Sequence, residues 1–327
     1  GLQENIRSGY VSGATNIEIN SGTINGNIYG SGNNSGSLTT NVVINLGNIT
    51  GKIFGAGYNS SVAEANLIIN GANLSEIYGG AETDGDVDIT NIVLAAGKIE
   101  SVYGAGLNSG ARQSNVTLNG SKVTNIYGAG KESENTENTN VILNSENVTN
   151  VYGGGHKANA TNTKVTLNGA TAENIYGAGE KNSETENTNI ELSSGTVTNV
   201  YGGGKEANAT NTNVKLNGTA IVTTIFGGSQ TSGKVETSNV ILRKGRVTNT
   251  FGGGEKTEVS SAKITFDGDV NTENIYGGSK DTGKTGKTEI SLNSGIAQNV
   301  YGAGLNTGAG ETDLILNGAE ITNIYGG

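Results

Sequence analysis

"VTNVYGGG" occupies Val148–Gly155 and returns unchanged at Val197–Gly204. Aligning this phrase along the 327 residues places an aromatic residue before a glycine thirteen times, from Tyr29 and Phe54 to Tyr301 and Tyr325, at steps of 24 or 25 residues. Self-similarity at such a period is the signature of a repeat architecture. Residues 131–179 also resemble residues 180–228, so two units were duplicated together.

Each unit holds two short β-like runs with a turn between them, as in Asn115-Val116-Thr117-Leu118, Asn119-Gly120, then Val123-Thr124-Asn125-Ile126-Tyr127. Alternation in the first run directs Val116 and Leu118 to one side and Thr117 to the other, as a half-buried strand requires. The inward pair recurs from Ile17/Ile19 to Leu314/Leu316. One pattern copied every 24 or 25 residues suits a solenoid in which each unit is one coil. The expected fold is all-β: a right-handed parallel β-helix of about 13 coils, handed as parallel crossovers are. It forms one continuous domain over 1–327, with 1–15 as an irregular first coil. Because the repeat stops in mid-pattern at Tyr325-Gly326-Gly327, the expectation is a fragment of a longer repeat protein.

In the second run Val123 and Ile126 are three apart, which requires a bend at Thr124-Asn125. Asparagine tolerates the left-handed backbone that such a bend can use. Asn125, Asn150, Asn174 and Asn199 share this place, and Asn41, Asn66, Asn91 and Asn115 share another. Stacked, they form amide ladders. The glycines after the aromatic allow positive φ and close backbone approach at a tight corner. The variable segment that follows carries charge, for example Lys131-Glu132 and Lys205-Glu206, as a solvated edge does.

Composition narrows the function classes. The net charge is -10, with no Pro and no Cys. Absence of Pro separates the chain from disordered linkers and suits a stack of paired strands. Without Cys there is no disulfide framework or thiolate metal site, and the redox compartment stays open. An acidic chain without basic clusters does not suit nucleic acid as a partner. No twenty-residue apolar run exists for direct membrane insertion.

Four groups of residues invite a chemical reading. With the bend at Asn, the rings of Tyr103, Tyr127, Tyr152, Tyr176 and Tyr201 point outward as an exposed column, able to stack on sugars or dock a partner. Alternatively, the following loop covers them and they hold coils in register. A second outward stripe holds Val43, Ile68, Val93, Thr117, Ile142, Thr166, Ile241, Thr265 and Ile315, interrupted by Glu18, Glu191 and Lys215. It lacks the Thr-x-Thr order of ice-binding solenoids. Asp84, Asp86 and Asp88 set three carboxylates two apart, which could supply oxygens to calcium, yet Ala95 stands where an EF-hand loop closes with Glu. No other cofactor is implied. Finally, His156 is the sole histidine, at a place held by Lys205 in the duplicate, and the carboxylates of Glu132–Glu137 and Glu184–Glu186 are copies on a charged edge. No catalytic residue is assigned. A lyase or hydrolase would need carboxylates converging outside the repeat pattern.

The units NIYGAG, NVYGGG and NIYGGS, each followed by a polar loop and a TNVxLN-type strand, resemble the β-helical repeats of large bacterial cell-surface and adhesin-like proteins. The likeness runs from about Ile17 to the end. It implies a right-handed parallel β-helix, extracellular placement, and a structural or adhesive role as a stalk or display surface. Its partners would be adjoining repeats of the parent chain and a glycan or protein of a host or neighbouring cell. Those families share no catalytic residues to transfer. A carbohydrate-binding module using the Tyr column is the alternative.

Overall fold

A computed structural model describes residues 10–132 and 134–327. The chain is a right-handed parallel β-solenoid of about 13 coils. Every strand lies in register on the equivalent strand of the next coil: Val116 faces Val141, which faces Val165, and Leu118, Leu143 and Leu167 follow in parallel. A representative coil comprises Ala111–Leu118 and Lys122–Tyr127. In the middle of the rod the two runs merge, as in Lys181–Tyr201 and Glu206–Phe226. The first strand already begins at Val11 and pairs with Ser37–Ile44, earlier than an irregular 1–15 stretch implies. The part of that expectation covering residues 1–9 lies outside the described residues.

The core is the one the alternation anticipates. Val116, Leu118, Val123 and Ile126 and their counterparts form a single apolar column through the rod, and most are fully buried. With no room between coils for anything wider than a strand spacing, each layer must repeat nearly the same volume. The repeated sequence meets that requirement.

Two expectations about the backbone need correction. The chain does turn at Thr124-Asn125, where residue-by-residue pairing skips Thr124, but among the described residues no ladder asparagine has positive φ; the non-glycine residues there that do are Glu146 and Asn182. Nor do the corner glycines use positive φ, which falls instead on glycines of the turn between the two runs, such as Gly169, Gly195 and Gly245. What the corner needs is proximity. A Cβ on Gly153 would lie 2.2 Å from the carbonyl oxygen of Gly177 and 2.9 Å from the Cβ of Thr163. Coil-to-coil stacking excludes a side chain there.

A strut that sequence reading passed over fixes this corner. In most coils the residue before the Asn column is Thr or Ser whose hydroxyl donates to the first corner glycine: Thr139 to Gly153 at 2.6 Å, Thr163 to Gly177 at 2.6 Å, Ser238 to Gly252 at 2.6 Å; Ser114 holds the same place without a partner, and Ala65 and Ala262 replace it. Elsewhere a core hydroxyl lacks a partner. Thr250 stands where other coils carry Val or Ile, fully buried, and its Oγ1 makes no hydrogen bond.

These two threonines should respond oppositely to the same change. Thr139→Val leaves the Gly153 carbonyl without its buried donor and is expected to cost about 1–2 kcal/mol, whereas Thr250→Val removes an unpaired hydroxyl and is expected to be neutral or stabilising by up to about 1 kcal/mol. Denaturant melts of both variants beside the parent check the sign.

Candidate functional site

The outward side of the second run carries the aromatic column. Ile126 points into the core and Tyr127 away from it, as the bend requires, yet Tyr127 is buried. From Phe54 to Tyr276 the ten rings are between 0% and 8% exposed. The exposed column expected from the sequence is therefore corrected: the rings face outward and are covered. Successive rings stack at 4.7–5.2 Å between centroids with interplanar angles of at most 13°. Each ring thus occupies the faces of its neighbours, and only edges and hydroxyls turn toward the surface. A sugar-stacking platform needs free faces, and stacking removes them at Tyr103, Tyr127, Tyr152, Tyr176 and Tyr201 alike.

The cover comes from the charged segment after the glycine corner, reaching over from two coils away. Tyr127 donates its hydroxyl to Glu180 at 2.7 Å, Tyr176 to Gln230 at 2.7 Å and Tyr201 to Glu255 at 2.9 Å. Tyr29 reaches Glu82 in the same way. The separation is 53 or 54 residues each time. The rule extends to rings without hydroxyls. Phe54 and Phe251 have Leu107 and Leu305 at the same offset, and Leu107 packs on the aromatic cluster. At Phe226 the counterpart is Lys280, which turns aside to Glu255 at 3.2 Å. Tyr78 instead uses Glu76 of its own coil at 2.8 Å, and Lys131 binds Glu76 at 2.6 Å while lying over the Tyr103 ring.

On the other flank the asparagines form the expected ladder. Asn150 donates to Asn125, Asn174 to Asn150 and Asn199 to Asn174, each at 3.0 Å. Thr224 interrupts the ladder, which resumes from Asn249. Beside the gap, over Phe226 and Phe251, lies a shallow hollow of about 320 Å³.

His156 is absorbed into the same cover. Its Nδ1 lies 2.6 Å from Glu180 Oε2, and its ring meets Tyr127 edge-on. Glu180 accepts from Tyr127 and faces Lys205 at 3.5 Å. Burial opposes ionisation of Glu180, but the contacts with His156 and Tyr127 and the charge of Lys205 outweigh it, bringing its pKa down to about 2. The Tyr127 hydroxyl is pushed well above the usual phenol range by burial and by the Glu180 carboxylate. Glu132 pairs with Lys157 and Glu184 accepts from Asn208, each on a partner one coil away.

Asp84, Asp86 and Asp88 are exposed and line an open polar cleft of about 610 Å³ together with Arg112, Glu134 and Glu137. The calcium arrangement expected from their spacing is not assembled. Asp84 lies in a bend, and Asp88, in the strand Val87–Leu94, is turned to Arg112 at 3.2 Å. Among the described residues no group of three or more His, Cys, Asp or Glu side chains is placed to hold a metal ion.

Burial of the column makes it a stability element. Tyr152→Ala is expected to cost about 3–5 kcal/mol, as for other large buried aromatics, where a ring on free surface would cost within about 0.5 kcal/mol; chemical denaturation distinguishes them. Because the Glu180 pKa is depressed on folding, its contribution is present above its unfolded value of 4.5 and lost as pH falls toward 2. Melting temperature should therefore drop more steeply between pH 5 and pH 2 in the parent than in Glu180→Gln, by thermal melts across that range.

In comparisons with protein-family models, curated proteins and solved structures, nothing matches this chain.

Proposed function

We propose that the chain is a non-enzymatic, extracellular spacer that extends or displays other parts of a bacterial surface protein. The observation that carries this reading is the unbroken stacking of the same core and aromatic columns through the rod. About 13 coils at a strand spacing of about 4.8 Å give an axis about 60 Å long. Such a stack resists bending because flexing would part hydrogen-bonded ladders on several sides at once. The resemblance to adhesin-like repeats supports surface placement and attachment through adjoining repeats. Carboxylates of the charged edge that are held by a neighbouring coil, Glu132 by Lys157, Glu180 by Lys205 and Glu255 by Lys280, support a structural reading of that edge over a catalytic one.

Length should scale with coil number. Deleting residues 131–179 joins Gly130 to Glu180 in the same register and is expected to yield a folded rod shorter by about 10 Å, two strand spacings, measured by small-angle X-ray scattering. Antibody raised to the rod should label intact cells carrying the parent protein; labelling only after permeabilisation would overturn the surface placement.

A further inference from the structure

The face formed by the first strands changes character along the rod. In five successive coils, from Asn41 to Asn144, the outward residues between and including the two flanking columns are uncharged. Val43, Ile68, Val93, Thr117 and Ile142 form a stripe in direct register. Beyond it charges enter, with Lys164 paired to Glu191 and Lys263 to Glu289. Amide ladders border the stripe: Asn41 donates to Asn16 at 2.8 Å and Asn66 to Asn41 at 3.1 Å on one side, Asn45 to Asn20 at 2.6 Å and Asn70 to Asn45 at 2.7 Å on the other. A primary amide has two N–H donors and two carbonyl lone pairs. The ladder uses one of each at Asn41, leaving one donor and one acceptor toward solvent there, while Asn45 and Asn91 give their second N–H to Glu18 at 3.2 Å and Glu64 at 3.1 Å, and Ala95 interrupts the second border.

We infer that this face binds an extended, uncharged polysaccharide of equatorially linked pyranose units laid along the rod axis, as in cellulose or chitin. Such a chain advances by roughly one strand spacing per sugar. Its hydroxyls both donate and accept, which matches border amides such as Asn41 that keep a free donor and acceptor, and the C–H faces of its rings match the apolar stripe between the borders. A charged polymer fits poorly, because the face is uncharged and the chain carries a net charge of -10. A second copy of the protein fits poorly on area. Five coils of about 4.8 Å and a width of about 13 Å give on the order of 300 Å², against about 800 Å² per partner in stable protein interfaces. A long polymer instead gains affinity by engaging several rungs, and several rods, at once. The proposal is independent of the spacer reading, and surface labelling and glycan binding can succeed or fail separately.

The test is co-sedimentation of the whole chain with insoluble cellulose and with chitin, using starch granules as the α-linked control. Retention on a β-linked polymer and not on starch is expected. The double variant Ile68→Lys/Val93→Lys places two charges on the outward stripe and should weaken retention by about tenfold or more, with an unchanged melting temperature to show that the fold survives. Equal retention on starch would overturn the proposal, as would no retention on either β-linked polymer or retention that ignores the two lysines. Should the double variant fail to fold, Thr117→Lys alone carries the same expectation. Self-association by light scattering without glycan retention would make the face a contact between copies and would likewise overturn it.

Discussion

Every feature of this molecule answers to the spacing between one strand and the next. Coils that stack at hydrogen-bonding distance bring each residue against its own equivalent, so any side chain must tolerate itself as a neighbour. Apolar branched residues do so by packing and asparagines by bonding amide to amide. Aromatic rings do so by stacking, because 4.7–5.2 Å suits parallel rings. The corner satisfies the same constraint by omission: the carbonyl of Gly177 lies where a side chain of Gly153 would begin.

What was legible in the sequence is what repeats at one period. The inward pairs, the ladders at Asn125 and Asn41, and the outward direction of Tyr127 follow from alternation and a 24- or 25-residue step. What escaped was non-local or chemically quiet. The cover over Tyr127 comes from Glu180, two coils on, and its signal is a correlation: hydroxylated rings face polar residues 53 or 54 places later, while Phe54 and Phe251 face leucines. The strut from Thr139 was visible only as a small residue beside a conspicuous asparagine. At Asp84, Asp86 and Asp88 closeness in sequence did not carry over to a group placed to hold a metal ion among the described residues, and Asp88 is turned to Arg112 instead.

The charged edge takes on a different meaning in the structure. A variable segment of Lys, Glu and His reads as a solvated margin, and part of it is. One residue per coil, however, lies over the aromatic column. His156, Glu180 and Lys205 form one such group with Tyr127. Variation there is limited by the ring beneath, which accounts for Lys, His, Glu and Gln exchanging freely over tyrosine while leucine stands over phenylalanine at Phe54 and Phe251.

The two-coil reach of these contacts also bears on how such a chain can grow by recombination. Residues 131–179 and 180–228 are a duplicated pair of coils, and a ring finds its cover at the same distance, two coils on. A cassette of two coils inserted in tandem therefore gives every ring in one copy the matching cover position in the next. A duplication of this kind lengthens the rod while a polar residue still stands over each of its tyrosines, Tyr127, Tyr152, Tyr176 and Tyr201.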